Sequence, residues 1–64
     1  MTPTPRRLEV LQHAADGLNR AEIAKRMTIS VETVKSHLKE AKWDMRANTT
    51  AHAVANALRE GLIE

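Results

Sequence analysis

Leucine, alanine, isoleucine, valine and methionine return every three or four residues along most of this chain. That period matches the turn of an α-helix and not the two-residue alternation of a strand. Leu8, Leu11, Ala15 and Leu18 mark the buried face of a first helix, and Ile23, Ala24 and Met27 that of a second. Val34, Leu38, Ala41 and Met45 mark a third, and Ala51, Val54, Ala55, Leu58 and Leu62 the core-facing side of a fourth. No strand-like alternation, internal repeat or low-complexity segment breaks the series.

Polar residues between the stripes predict where each helix starts and stops. Thr4 is placed to cap the first, with Pro5 at the position where a missing N–H does no harm. Gly17 suits the residue that follows the last turn. Asn19 opens the second helix, which runs to about Met27. Ser30, with Thr33 three residues on, caps a third helix from Val31 to about Met45. Arg46, Ala47 and Asn48 form the expected break, with Asn48 taking a left-handed backbone. Thr49 or Thr50 caps the fourth helix, which ends near Glu60, before Gly61. Residues 1–3 are expected to be disordered. The prediction is an all-α, compact four-helix domain spanning residues 1–64 as one unit. Its core is expected to gather Leu8, Leu11, Leu18, Ile23, Met27, Ile29, Val34, Leu38, Met45, Val54, Leu58 and Leu62.

The chain has no phenylalanine or tyrosine, so aliphatic packing must suffice. Trp43, the only aromatic, falls two residues after the small Ala41. Either its ring folds over the surface of the first or fourth helix and covers the gap at Ala41, or it stands half-exposed as a contact to a partner chain or a DNA backbone.

The second helix, the tight turn Thr28-Ile29-Ser30 and the third helix have the layout of a helix-turn-helix, whose second helix can enter the major groove of DNA. Charge follows the motif. The chain is +2 overall; residues 1–46 hold nine basic groups against six acids, whereas the remainder sets Arg59 against Glu60 and Glu64. With its apolar stripe turned inward, the third helix presents Glu32, Lys35, Ser36, Lys39 and then Lys42 or Trp43 on the opposite face. Lys35, Lys39 and Lys42 stand at i, i+4 and i+7 and stack along one edge. A lysine amine suits guanine O6/N7 and phosphate alike, Ser36 suits either kind of base, and Glu32 can accept from cytosine N4 or pair with Lys35 or Ser36. Read without DNA, the same residues are a solvated face held by pairs such as Glu32–Lys39 or Lys35–Glu40. Asn19, Arg20, Ser30 and Thr33 sit near helix N-termini, where phosphate can be held, although Asn19 and Ser30 also serve as caps.

Other chemistry is excluded residue by residue. There is no cysteine, hence no disulfide or thiolate metal site. His13, His37 and His52 lie on three different helices with no metal-ligand spacing, no Ser-His-Asp set and no paired carboxylates. No glycine-rich phosphate loop is present, and one aromatic is no stacking array. The chain is therefore read as no enzyme, with no catalytic residue, metal, cofactor or small-molecule ligand. No apolar run approaches the roughly 20 residues that cross a bilayer, so it is read as soluble and cytoplasmic, working on the bacterial nucleoid, with no membrane partner.

Thr4-Pro5-Arg6, Val10-Leu11, Gly17-Leu18, Glu22-Ile23-Ala24, Ile29-Ser30, Thr33-Val34-Lys35, His37-Leu38, Ala53-Val54 and Gly61-Leu62-Ile63 together carry a resemblance. In register from Thr4 to Ile63, the chain resembles the DNA-binding domain of LuxR-type regulators, the LuxR/GerE family. The resemblance implies four helices with the third as recognition helix, base contacts at Lys35, Ser36 and Lys39, backbone contacts at Asn19, Thr33 and Lys42, and dimerisation through the fourth helix on two-fold-related half-sites. Two departures stand out. The family prefers Glu where this chain has Arg7, and Lys-Leu-Gly where it has Asp44, Met45 and Arg46. The lost glycine removes the easiest left-handed cap, and Asp44 removes a cation from the phosphate-facing set.

On the fourth helix, Ala53, Ala57 and Gly61 repeat at i, i+4 and i+8, with Asn56 and Glu60 beside them. Small residues so spaced let a second helix approach, which predicts a homodimer seam; alanine is also simply the best helix former. The expected function is sequence-specific binding of double-stranded DNA in transcription regulation, probing bases with the third helix and dimeric at least on DNA. The competing reading is a protein-interaction module that uses the same fold to hold RNA polymerase or another regulator.

Overall fold

Every helix of this protein begins at a capping side chain and ends at a left-handed residue. The computed structural model describes residues 2–64 and contains α1 (Pro5–Ala15), α2 (Arg20–Met27), α3 (Val31–Asp44) and α4 (Thr50–Arg59), with no strand among the described residues. Thr4, Asn19, Ser30 and Thr49 are the N-caps, each accepting from the backbone N–H three residues on. Asn19 and Glu22 complete a reciprocal capping box, both bonds being 2.9 Å. Positive φ then follows each helix, at Gly17, Thr28, Arg46 and Gly61. The next N–H in each case turns back to a carbonyl of the last helical turn: Leu18 to His13, Ile29 to Ala24, Ala47 to Lys42 and Leu62 to Ala57.

Two of those left-handed residues are not glycine. Thr28 has φ 57° and Arg46 φ 53°. A side chain there costs roughly 1 kcal/mol, which the closing hydrogen bonds and the burial on both flanks must offset. The break after α3 is thus made by Arg46 and not by Asn48, the residue expected to take that conformation.

The helix α3 packs on all three others, and α1 also meets α2 and α4. Val10, Leu11, Ile23, Ala24, Met27, Val34, Leu38, Ala41, Met45, Ala53, Ala57 and Ile63 form the core, with Leu8, Leu18, Ile29, Val54 and Leu62 partly buried against it. Two polar bonds tie the last segment down: Asn56 Nδ2 donates to the Met45 carbonyl at 3.1 Å, and the Glu64 N–H donates to Gln12 Oε1 at 2.8 Å. Pro3 is buried and Thr2 exposed; the expectation of disorder at Met1 lies outside the described residues.

Several expectations are corrected, among them the buried faces of α1 and α4, on which Ala15 and Ala51 prove exposed. Helix α4 turns its small residues inward: Ala53 and Ala57 are fully buried within the single chain. They cannot belong to a dimer seam, and of the set proposed for one only Glu60 and Gly61 are exposed, Asn56 being half-buried. Leu58, expected in the core, is 46% exposed. The reason is distance: α4 lies close against α1 and α3, and a methyl side chain fits where a leucine does not. Trp43 covers nothing. It is 85% exposed, while Ala41 is sealed by the neighbouring helices themselves. Val10 and Ile63, outside the predicted core, are inside it.

Candidate nucleic-acid interface

The turn between α2 and α3 sets the angle at which α3 leaves the body of the domain. Thr28 reverses the chain, Ile29 drops into the core margin, and Ser30 Oγ accepts from the Thr33 N–H at 3.0 Å and shares a 2.9 Å hydrogen bond with Thr33 Oγ1. Val34, Leu38 and Ala41 then anchor α3 by its inner stripe. What faces away is settled by helical geometry. Glu32, Ser36, Lys39 and Trp43 fall within an arc of roughly 60° at about 100° per residue. All four are exposed. Lys35 is exposed on one flank of this arc, and Lys42 lies half-buried on the same flank.

Ion pairing sorts the basic residues into two groups. Those of α1 are paired: Arg6 with Glu9 at 3.0 Å on the surface, and Arg7, more deeply set, with both Glu40 and Asp44 on α3, the latter at 3.0 Å. On the helix-turn-helix, Lys35 meets Glu32 at 3.5 Å with both side chains well exposed, a pairing that solvent makes worth little. Arg20, Lys25, Arg26, Lys39, Lys42 and Arg46 have no ion pair among the described residues. Uncompensated positive charge therefore collects on α2, α3 and the segment after α3, as a phosphate-binding surface requires. Of the pairs open to a solvated face, Glu32–Lys35 forms; Lys35–Glu40 does not, because Glu40 is taken by Arg7, and Glu32–Lys39 does not form either.

The expected backbone-contact residues divide. Arg20 is exposed at the start of α2, and Asn19 and Ser30 are exposed too, but their side-chain oxygens are committed to capping. Thr33, half-buried, spends its hydroxyl on Ser30.

Two features escaped sequence reasoning. Arg7 and Asp44, each read as a separate departure from the family pattern, are the two ends of one contact: where the family prefers Glu and Lys, this chain has exchanged the signs. Asp44 is accordingly almost buried, at 8% exposure, and is not part of the free surface assumed for a phosphate contact. The signal was available, since two departures of opposite charge at matched positions suggest a swapped pair. The second feature is the extent to which Trp43 is exposed, 85% where the open alternative had it half-exposed.

Comparison with known proteins finds a family and several relatives. A family model described as "Bacterial regulatory proteins, luxR family" matches residues 2–57. Over 60 residues the chain is 47% identical to the quorum sensing-dependent transcriptional regulator RpaR of Rhodopseudomonas palustris, covering 94% of this chain and 25% of that protein. It is 38% identical over 61 residues to the uncharacterized transcriptional regulatory protein YxjL of Bacillus subtilis, covering 95% of this chain and 28% of YxjL. The quorum sensing-dependent regulator VjbR of Brucella ovis is also 38% identical over 61 residues, or 95% and 24% of the two chains. The chain thus spans about a quarter of the length of the curated relatives it matches.

Proposed function

Because the chain belongs to the luxR family of bacterial regulatory proteins, whose helix-turn-helix serves DNA binding in transcription regulation, we propose that it inserts α3 into the major groove and selects bases there. In this reading Lys35, Ser36 and Lys39 reach base edges, with Glu32 accepting from a cytosine amine where one is present. Arg20, Lys42 and the N-terminal ends of α2 and α3, with Asn19, Ser30 and Thr33, meet phosphate. The observation that carries the proposal is the sorting of charge: Arg20, Lys25 and Arg26 of α2 and Lys39 and Lys42 of α3 have no ion pair among the described residues and Lys35 has only the solvent-exposed Glu32, while Arg6 and Arg7 of α1 are paired. The chain is proposed to act as a two-fold dimer on paired half-sites, in the bacterial cytoplasm. With Ala53 and Ala57 inside, the seam passes to the outer stripe of α4, where Leu58 is exposed.

Selection of bound sites from a random duplex pool, followed by anisotropy titration of the best site, tests the reading. Lys35→Ala should weaken specific binding by about 1–3 kcal/mol, and Arg59→Ala, on α4, should not. Lys42→Ala should lower the slope of log affinity against log salt by about 0.9 and leave sequence preference intact. Equal effects of Lys35→Ala and Arg59→Ala refute the recognition assignment. Absence of duplex binding at low salt, with capture of RNA polymerase or another regulator, favours the interaction module instead.

A further inference from the structure

Trp43 is the most exposed large apolar side chain among the described residues, at 85%, against 46% for Leu58 and 38% for Val31. Leaving an indole in water forfeits the burial that tryptophan normally gains. Its position is equally specific. It lies in the middle of the arc that holds Glu32, Ser36 and Lys39, on the side of α3 opposite Val34, Leu38 and Ala41, so no rotation of the helix about its axis could separate it from the face proposed to read bases. A shallow hollow runs along that face between Ser36, Lys39, Glu40 and Trp43, and a second adjoins the ring beside Lys42, Arg46 and Asn48. The cations bordering the ring, Lys39, Lys42 and Arg46, have no ion pair among the described residues, whereas the one bordering carboxylate, Glu40, is held by Arg7. The ring is therefore framed by net positive charge, which favours a polyanion over an acidic-poor protein surface or a lipid tail.

We propose that Trp43 is a further DNA-contacting residue, closing the far end of the reading face. Along α3, Trp43 stands about 10 Å beyond Ser36, farther than the roughly 6 Å from the middle of the major groove to its wall. With Ser36 over the bases, the indole arrives at the wall of the groove. There its ring faces pack on deoxyribose carbons and any adjacent thymine methyl, and its Nε1–H donates to a phosphate oxygen. Such a contact positions α3 along the groove and adds a preference for an apolar base edge at the margin of the site. The inference rests on the proposed reading of α3 as the recognition helix.

The chain supplies its own probe, because Trp43 is its only tryptophan and there is no tyrosine or phenylalanine. Two signals are followed in one titration of the intact chain: anisotropy of a labelled duplex, which reports binding, and quenching of the indole by acrylamide, a neutral reagent that the charge of DNA does not repel. The expected result is a rise in anisotropy accompanied by a shift of emission to shorter wavelength and a severalfold loss of acrylamide access. Binding with the indole as accessible as before overturns this inference and leaves the DNA-binding reading in place. No binding at low salt overturns both. As a second measurement, Trp43→Ala should retain its helical circular dichroism, lose about tenfold in affinity, and keep the salt slope unchanged, since no cation is removed. An unchanged affinity in that variant counts against the contact.

Discussion

At the scale of single residues, the two left-handed positions without glycine are where local cost is concentrated. Thr28 is the more strained of the two by type, because its branched Cβ crowds the backbone at positive φ. Thr28→Gly and Arg46→Gly should each raise stability by about 1 kcal/mol, read as a higher urea midpoint with unchanged m-value. The two variants should part company in DNA titration. Arg46 is an exposed cation with no ion pair among the described residues, so its removal should lower affinity and flatten the salt dependence. Thr28 carries no charge, and its replacement should leave the slope alone. A loss of stability in both variants would show that the left-handed backbone imposes no strain here.

Between elements, Arg7 is the strap from α1 to α3. Its guanidinium spans Glu40 and Asp44, one turn apart, and Asp44 is nearly removed from solvent. Truncation by Arg7→Ala should cost about 1.5–3 kcal/mol, the range for hydrogen bonds to charged groups. Asp44→Lys alone, which sets two cations together, should be worse than Asp44→Ala. The double exchange Arg7→Glu with Asp44→Lys should recover most of the loss, with a coupling energy measured by a double-mutant cycle from denaturant unfolding. Simple additivity would mean that the two residues do not act as a pair. The strap also bears on function, since it neutralises Glu40 and Asp44, two of the three acids of the helix proposed to enter DNA.

For the whole molecule, size is the controlling quantity. A domain of 64 residues buries only about 60% of the surface its unfolded chain exposes, and a second subunit is one way to add to that. The outer stripe of α4, with Leu58 nearly half exposed, is where the proposed seam falls. Leu58→Glu should leave the monomer folded, because that side chain already meets water. It should convert two-to-one binding on a palindromic duplex into one-to-one, as read by sedimentation. A chain that remains strictly monomeric with and without palindromic DNA would remove the dimer from the proposal without touching the contact made by one copy.

What could be read from the chain alone was whatever depends on neighbours within a turn or two. The number of helices, three of the N-caps, the fourth to within one residue (Thr49 or Thr50), the inward stripe of α3 and hence the face it turns outward follow from a 3.6-residue period and from side chains that bond to their own backbone, and the structure agrees with each. Three matters required atoms brought together from distant positions. In α4 two apolar stripes compete; close approach to α1 and α3, and not hydrophobicity, sends Ala53 and Ala57 inside and leaves Leu58 out. The partners of Arg7 lie 33 and 37 residues away, and no periodicity carries that information. The exposure of Trp43 depends on whether neighbouring helices leave space at Ala41, and they leave none. Local bonding is written in short-range order, whereas which of two plausible faces is buried is settled only by the volumes that meet in the core.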